Sequence, residues 1–268
     1  MITQLSYANG TYHSPPSASS KNGCHFPSLR FYLKFLRIVF TSYTAAKRGQ
    51  YDGTRWSLSS LAILRALEAV GVCVEITGVD RFQTFDGPCV FIANHMSTLE
   101  TVVLPGIIQP MKDVTFIVKQ NLLEYPLFKH ILSARDPIAV TRKHPREDFK
   151  RVLEEGTEKL QAGISLVVFP QTTRTTEFDP QHFNTIGIKV AKRAQVPVIP
   201  IGLVSDAWGI GKPIKDFGKI DPAKRVYFAF GDPLWVQGRG DAEHEQILDF
   251  IRAHIDEKRG VQAFASSR

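Results

Sequence analysis

The sequence predicts an α/β protein: a mixed, largely parallel sheet flanked by helices, preceded by an N-terminal amphipathic helical hairpin. Three observations carry this. Beyond Gly71, short runs rich in β-branched and aromatic residues alternate with longer stretches of helical character. Ahead of that alternation lie two helical stretches, the first markedly basic. The chain of 268 residues, 43% of them hydrophobic, is long enough for one large core.

Taken in order, residues 1–28 are rich in Ser, Pro, Asn and Gly and are expected to form a disordered tail. They lack the apolar run of a secretory signal, and the Asn9-Gly10-Thr11 sequon is a chance match. Residues 29–71 are expected to form the hairpin. From Leu29 to Thr41, Arg30, Lys34 and Arg37 recur at spacings of four and three, which places them on one helical face. Phe31, Leu33, Phe35, Leu36, Ile38, Val39 and Phe40 fill the rest. A wide apolar surface with a narrow cationic stripe suits a helix lying among lipid headgroups; packing on its own domain is the plainer reading. A second helix, Trp56 to Val70, follows the Asp52-Gly53 turn signal and stops at Gly71.

The main domain is expected over residues 72–260. Its candidate strands are Val72 to Thr77, Cys89 to Ala93, Val114 to Lys119, Pro137 to Thr141, Ile164 to Phe169, Pro197 to Val204 and Val226 to Phe230. Helices are expected at Ser97 to Ile108, Tyr125 to Ser133, Pro145 to Ala162, His182 to Ala194 and Ala242 to Glu257. Pro145 at a first turn, followed by Glu147 and Asp148 near the positive end of the helix dipole, is a favourable start.

The charge of +7 is local: residues 1–50 carry six basic and no acidic side chains, which leaves 27 basic and 26 acidic ones in the body. Because the excess lies on an apolar helix rather than on a folded basic face, nucleic acid is not an expected partner. No apolar run of about 18 residues suggests a spanning helix. Cys24, Cys73 and Cys89 are too few and too scattered for a disulfide framework or a zinc site, so a reducing compartment and no metal are expected. Gly209-Ile210-Gly211-Lys212-Pro213 has the wrong spacing for a P-loop.

A histidine five positions before an acid is a weak signal, since eight histidines and 26 acids in 268 residues give about one such pair by accident. The chain has two. His244 and Asp249 share one polar helix, where positions five apart diverge around the axis. His95 instead lies in the turn leaving the apolar run Cys89 to Ala93, with Glu100 one turn into the next helix and Ser97 as a candidate cap. There the backbone bends, and the carboxylate can fix the imidazole tautomer while the other ring nitrogen takes a proton. The arrangement is two-thirds of a nucleophile-base-acid triad, with a substrate hydroxyl in place of the serine. Phe169-Pro170-Gln171-Thr172-Thr173-Arg174-Thr175 follows another apolar strand, and its arginine suits a phosphate. Lys119 and Arg142 stand at two further strand ends and would deepen a positive pocket.

The order of these blocks, Asn94-His95-x-Ser97-x-x-Glu100, the segment from Lys119 to Arg142, Phe169-Pro170-x-x-Thr173-Arg174 and Val196-Pro197-Val198-Ile199-Pro200-Ile201, resembles the lysophosphatidic acid (1-acylglycerol-3-phosphate) acyltransferase family over residues 55–235. The resemblance implies that residues 72–260 are an acyltransferase domain moving a fatty acyl group from acyl-CoA or acyl-carrier protein to a lysophospholipid hydroxyl. His95 would be the general base and Glu100 its partner. Lys119, Arg142, Gln171, Thr172, Thr173 and Arg174 would bind substrate, and Val196 to Ile201 would be a core strand beside the acyl site. The co-substrate thioester replaces any cofactor, backbone amides of the His95 turn are candidate oxyanion donors, and the protein is expected as a peripheral partner of lipids on the cytoplasmic side of a membrane. Oligomeric state is not legible. The chain departs from the family pattern twice. Glu100 stands where Asp is usual, and Gln171-Thr172 replace Glu-Gly, which removes a charge and adds a Cβ. Gln171 and Thr172 motivate a second expectation, a same-fold acyltransferase acting on a lipid acceptor without phosphate; a catalytically silent lipid-binding protein that keeps the fold is the third.

Overall fold

The computed structural model describes residues 4–16, 25–126, 128–171, 173–212 and 214–266. Eight strands form one sheet: β1 (Tyr12–His13), β2 (Val74–Thr77), β3 (Val90–Ala93), β4 (Val114–Lys119), β5 (Ile138–Val140), β6 (Ser165–Val168), β7 (Val198–Val204) and β8 (Val226–Phe230). Their spatial order is β1-β2-β8-β7-β3-β6-β4-β5. The run from β7 to β5 is parallel throughout, whereas β8 is antiparallel to β7 and β1 to β2. The class expected from the alternation is therefore the one observed. The parallel run aligns the C-terminal ends of β3, β6, β4 and β5 along one rim.

Both faces of the sheet are covered, and the two-residue alternation of β3 shows how. Phe91 and Ala93 belong to a core shared with α1 (Pro27–Lys47), α2 (Gly53–Glu68) and α3 (Leu99–Ile108). Val90 and Ile92 face the opposite core, with α5 (Pro145–Gln161), α6 (Ile186–Ala194) and α7 (Asp241–Ser266). The short α4 (Phe128–Ser133) packs beside α1. Strands buried on both faces need no polar alternation, which is why their sequences read as unbroken apolar runs.

Three details differ from expectation. Residues 4–16 are not an unordered tail. Tyr12 pairs with Ile76 across β1 and β2, and the buried Glu68 carboxylate accepts from the Tyr12 hydroxyl at 2.5 Å and from Ser14 Oγ at 2.7 Å. A polar, proline-rich composition thus does not prevent order when a buried carboxylate supplies the partner. Residues 1–3 and 17–24 of that expected tail lie outside the described residues. Second, Asp52-Gly53 is a helix cap rather than a separate turn: Asp52 accepts from the Arg55 amide at 2.8 Å and Gly53 opens α2. Third, α1 has two apolar faces. Phe31, Phe35 and Val39 are buried against the domain, each Phe contributing roughly 1.5–3 kcal/mol by burial. Leu29, Leu33, Leu36 and Phe40 form an outward row beside the exposed Arg30, Lys34 and Arg37.

α3 carries Glu100, and its placement depends on α2. Pro105 inside α3 removes a backbone donor. Ser60 of α2 reaches the interrupted ladder, donating to the Val102 carbonyl at 2.6 Å and accepting from the Gly106 amide at 2.8 Å. A Cβ on Gly106 would come within 2.9 Å of that Ser60 oxygen and 3.1 Å of the Leu61 amide nitrogen, so the helices meet backbone to backbone there. Among the described residues, no helix is long and apolar enough to cross a membrane.

Candidate active site

The apolar strand β3 ends at Ala93, and Asn94 completes it by side chain. Its amide nitrogen donates to the Leu203 carbonyl at 2.9 Å, and its amide oxygen accepts from the Leu203 amide at 2.8 Å. This ties the start of the His95 turn to β7. The chain then bends through His95, Met96 and Ser97, and Ser97 Oγ accepts from the Leu99 amide at 3.0 Å; the cap position of α3 itself is Thr98, one residue later than expected.

Glu100, in the first turn of α3, is fully buried and points back at this turn. One carboxylate oxygen accepts from His95 Nδ1 at 3.0 Å, from the Met96 amide at 2.6 Å and from the Ser97 amide at 2.8 Å. The other accepts from Ser97 Oγ at 2.8 Å and Ser205 Oγ at 2.6 Å. Burial pushes the carboxyl pKa up, yet the hydrogen bonds from His95, Ser205 and the Ser97 amide outweigh it and hold Glu100 below the usual carboxylate range. An ionised carboxylate only accepts, so Nδ1 carries the shared proton, which in the neutral ring makes Nε2 the acceptor. The extra methylene of Glu relative to Asp does not prevent the contact.

The imidazole lies against Phe169, with ring centroids 4.4 Å apart and planes at 23°. Phe169 ends the run containing β6, so the second block of the sequence meets the first across neighbouring strands. Two backbone links fasten them. The Gln171 side-chain oxygen accepts from the His95 amide at 2.6 Å, and the His95 carbonyl accepts from the Thr175 amide at 3.0 Å.

Several expectations change here. Gln171 was expected to face substrate. Its side chain is buried and given to the His95 amide, a role that needs an acceptor oxygen and not a charge. The amides of His95, Met96, Ser97 and Leu99 already have side-chain acceptors, so they are not available as oxyanion donors. Arg174 reaches the start of α3, where Nη1 donates to Thr98 Oγ and pairs with Asp216 at 2.7 Å. Thr173 is exposed beside it, and Thr172 lies outside the described residues. Lys119 and Arg142 are exposed on the same rim at the ends of β4 and β5. At the usual strand spacing they stand about 10 Å and about 15 Å along the rim from β3. Asp148 holds the Arg142 turn, accepting from the Thr141 and Arg142 amides at 2.8 Å and 2.6 Å.

Sequence reasoning missed Ser205 and Asp216. Ser205 had a faint signal, since it is the first polar residue after the strand Pro197 to Val204 and strand ends collect site residues. Asp216 had none. Among the described residues, no group of His, Cys, Asp and Glu is arranged to hold a metal ion.

Comparison with known proteins fits this geometry. A family model described as acyltransferase matches residues 73–204, the stretch from β2 to β7 that holds both blocks. A 1-acyl-sn-glycerol-3-phosphate acyltransferase of Pseudomonas aeruginosa is 33% identical over 210 residues, covering 78% of each chain. A chloroplastic 1-acyl-sn-glycerol-3-phosphate acyltransferase of Brassica napus is 29% identical over 138 residues, 52% of this chain and 38% of that one. The crystal structure of the 1-acyl-sn-glycerophosphate acyltransferase PlsC from Thermotoga maritima superposes with a TM-score of 0.64 at 21% identity, covering 86% of this chain and 94% of that one, a likeness of fold. On the Pseudomonas match, which spans more than three quarters of both chains, this protein belongs to the 1-acyl-sn-glycerol-3-phosphate acyltransferase family of O-acyltransferases.

Proposed function

We propose that His95 is the general base of an acyl transfer from a thioester, acyl-CoA or acyl-carrier protein, to the hydroxyl of a lysophospholipid such as 1-acylglycerol 3-phosphate. His95 Nε2 takes the hydroxyl proton as that oxygen attacks the thioester carbonyl. The tetrahedral adduct collapses with cleavage of the C–S bond, and the proton passes to the departing thiolate. The products are an ester and a thiol, and no covalent enzyme intermediate, metal or redox cofactor takes part. Glu100 holds the Nδ1 tautomer and stabilises the imidazolium formed in the first step.

The single observation that carries this reading is the buried, five-fold hydrogen-bonded Glu100 carboxylate 3.0 Å from His95 Nδ1, at the C-terminal rim of the sheet. Arg174, Lys119 and Arg142 supply the positive rim for the acceptor's phosphate. The outward row Leu29, Leu33, Leu36 and Phe40, flanked by Arg30, Lys34 and Arg37, supports peripheral attachment to an anionic, cytoplasmic membrane surface from which the lysophospholipid is drawn. Exposed Phe217 lies beside the same helix, its ring centroid 5.5 Å from that of Tyr32 of α1.

The test is thiol release from a long-chain thioester with 1-acylglycerol 3-phosphate as acceptor. His95→Ala should lower kcat by about 10²- to 10⁴-fold while folding and vesicle binding persist. Retention of a tenth of wild-type turnover would remove His95 as the base. A second reading, an acceptor without phosphate, is favoured by the Arg174–Asp216 ion pair, which already neutralises that guanidinium. A panel of lysolipids with and without phosphate on one labelled donor separates the two.

A further inference from the structure

The guanidinium assigned above to the acceptor's phosphate is occupied by the chain itself. Arg174 Nη1 lies 2.7 Å from Asp216 Oδ1, and Thr98 Oγ bridges the two, accepting from Arg174 and donating to Asp216 at 3.4 Å. All three residues meet at the start of α3, three positions beyond His95. A phosphate monoester brought there would face a carboxylate of its own sign on the cation it needs. The two charges cannot share that nitrogen, because like charges repel and a single Nη1 offers only two protons, one of which Thr98 takes.

Three features make Asp216 a displaceable occupant rather than a fixed one. Its side chain is about one-third exposed, 32% against 19% for Arg174, so solvent screens the pair and its strength is that of a surface contact. The contact is made through one nitrogen and not as a two-point fork, the geometry a phosphate would gain. The loop bearing Asp216 is moored elsewhere: the indole Nε1 of buried Trp208 donates to the Asp216 carbonyl at 3.1 Å, and Tyr32 of α1 donates to the Gly218 carbonyl. The carboxylate can therefore swing away about its own side-chain torsions while the backbone stays in place.

We propose that Asp216 is an internal stand-in for the acceptor's phosphate: it holds Arg174 in the empty site and is displaced when a phosphate-bearing lysolipid enters. The idea rests on the reading of Arg174 as the phosphate's partner. Its consequence is that the apparent acceptor affinity is reduced by the fraction of molecules in which the pair is closed. Weak anions of the medium are excluded by the same closure. Acceptors that do not use Arg174 are indifferent to it.

The experiment is steady-state kinetics on the full chain with purified Asp216→Asn, Arg174→Ala and the double variant, using 1-acylglycerol 3-phosphate and, separately, monoacylglycerol as acceptors. Asp216→Ser serves as a second variant if the Asn chain is unfolded by circular dichroism. The expected result is that Asp216→Asn lowers the KM for 1-acylglycerol 3-phosphate about three- to fivefold, the range for breaking one screened ion pair. Inhibition by inorganic phosphate should strengthen by a similar factor, and the KM for monoacylglycerol should not move. In the Arg174→Ala background, Asp216→Asn should have no further effect. An unchanged or raised KM in Asp216→Asn, with Arg174→Ala still raising it, would overturn the stand-in and make Asp216 a positioning partner of Arg174. An unchanged KM in Arg174→Ala would instead overturn the phosphate assignment itself.

Discussion

The hydroxyl of Ser205 donates to Glu100 at 2.6 Å, across 105 positions of chain, and so ties the acid behind His95 to the end of β7. Glu100 is otherwise held by groups within five residues of it. Among the described residues, Ser205 is thus the one tertiary anchor of a locally built carboxylate, and it holds the oxygen opposite the one that meets the imidazole. In the proposed reaction it is a positioning residue, acting on His95 through Glu100.

Ser205→Ala leaves that oxygen with Ser97 alone and removes one charge-assisted hydrogen bond. We expect kcat to fall about tenfold, the order for a bond to a buried charge, with KM for either substrate little changed. Ser205→Thr, which keeps the hydroxyl, should recover most of the loss. Equal losses in both variants would point to packing rather than to hydrogen bonding.

Glu100 also makes stability depend on pH. Its folded pKa is below the ordinary 4.5, so its contribution is fully present above about pH 4.5 and is lost as pH falls through the folded value. Glu100→Gln has no such titration. The Tm difference between wild type and Glu100→Gln should therefore be largest at neutral pH and narrow steadily below pH 4.5, the remaining carboxylates cancelling between the two proteins. A gap that stays constant down to pH 3 would contradict the assigned direction.

Gln171 separates charge from geometry at the family's usual Glu position. Its oxygen accepts from the His95 amide, and a Glu oxygen can do the same. Gln171→Glu should retain activity within a fewfold, whereas Gln171→Ala leaves a buried amide without its acceptor, costing about 1–3 kcal/mol of stability and loosening the His95 turn. Thermal unfolding and kcat measured together check this. A Gln171→Ala protein with wild-type values in both would show that the bond holds nothing in place.

The outward row of α1 is expected to insert among lipids. Leu33→Glu with Phe40→Glu places two charges in that row without touching the buried Phe31, Phe35 and Val39. Binding to vesicles containing anionic lipid should drop at least tenfold in co-sedimentation while Tm stays within a few degrees. Undiminished binding would assign membrane attachment to another surface.

Much of this molecule was readable as a string, and the reason is local. β3, β6, β7 and β8 are predominantly apolar runs buried along their whole length, and such runs stand out between polar turns. The pairing of His95 with Glu100 spans five residues, and the strand-to-helix bend that brings them together is itself written in Ala93 to Ser97. β1 escaped because two residues in a polar segment carry no periodicity. Their order comes from Glu68, more than fifty positions away. The outward and inward faces of α1 could not be told apart by composition, since Phe31 and Leu33 are equally apolar and only the position of α2 and the sheet decides which is covered.

The nearness of His95 to Glu100, the order of the motifs along the chain and the basic character of the first helix were thus legible in the sequence by itself. Tertiary structure decided what holds them: Ser205 on the carboxylate, Gln171 on the histidine amide and Asp216 on Arg174. Each of those contacts joins segments 42 or more residues apart. Periodicity and turn chemistry reach only a few residues along the chain, and which distant polar groups meet is set by how the sheet and its covering helices bring strand ends to a common rim.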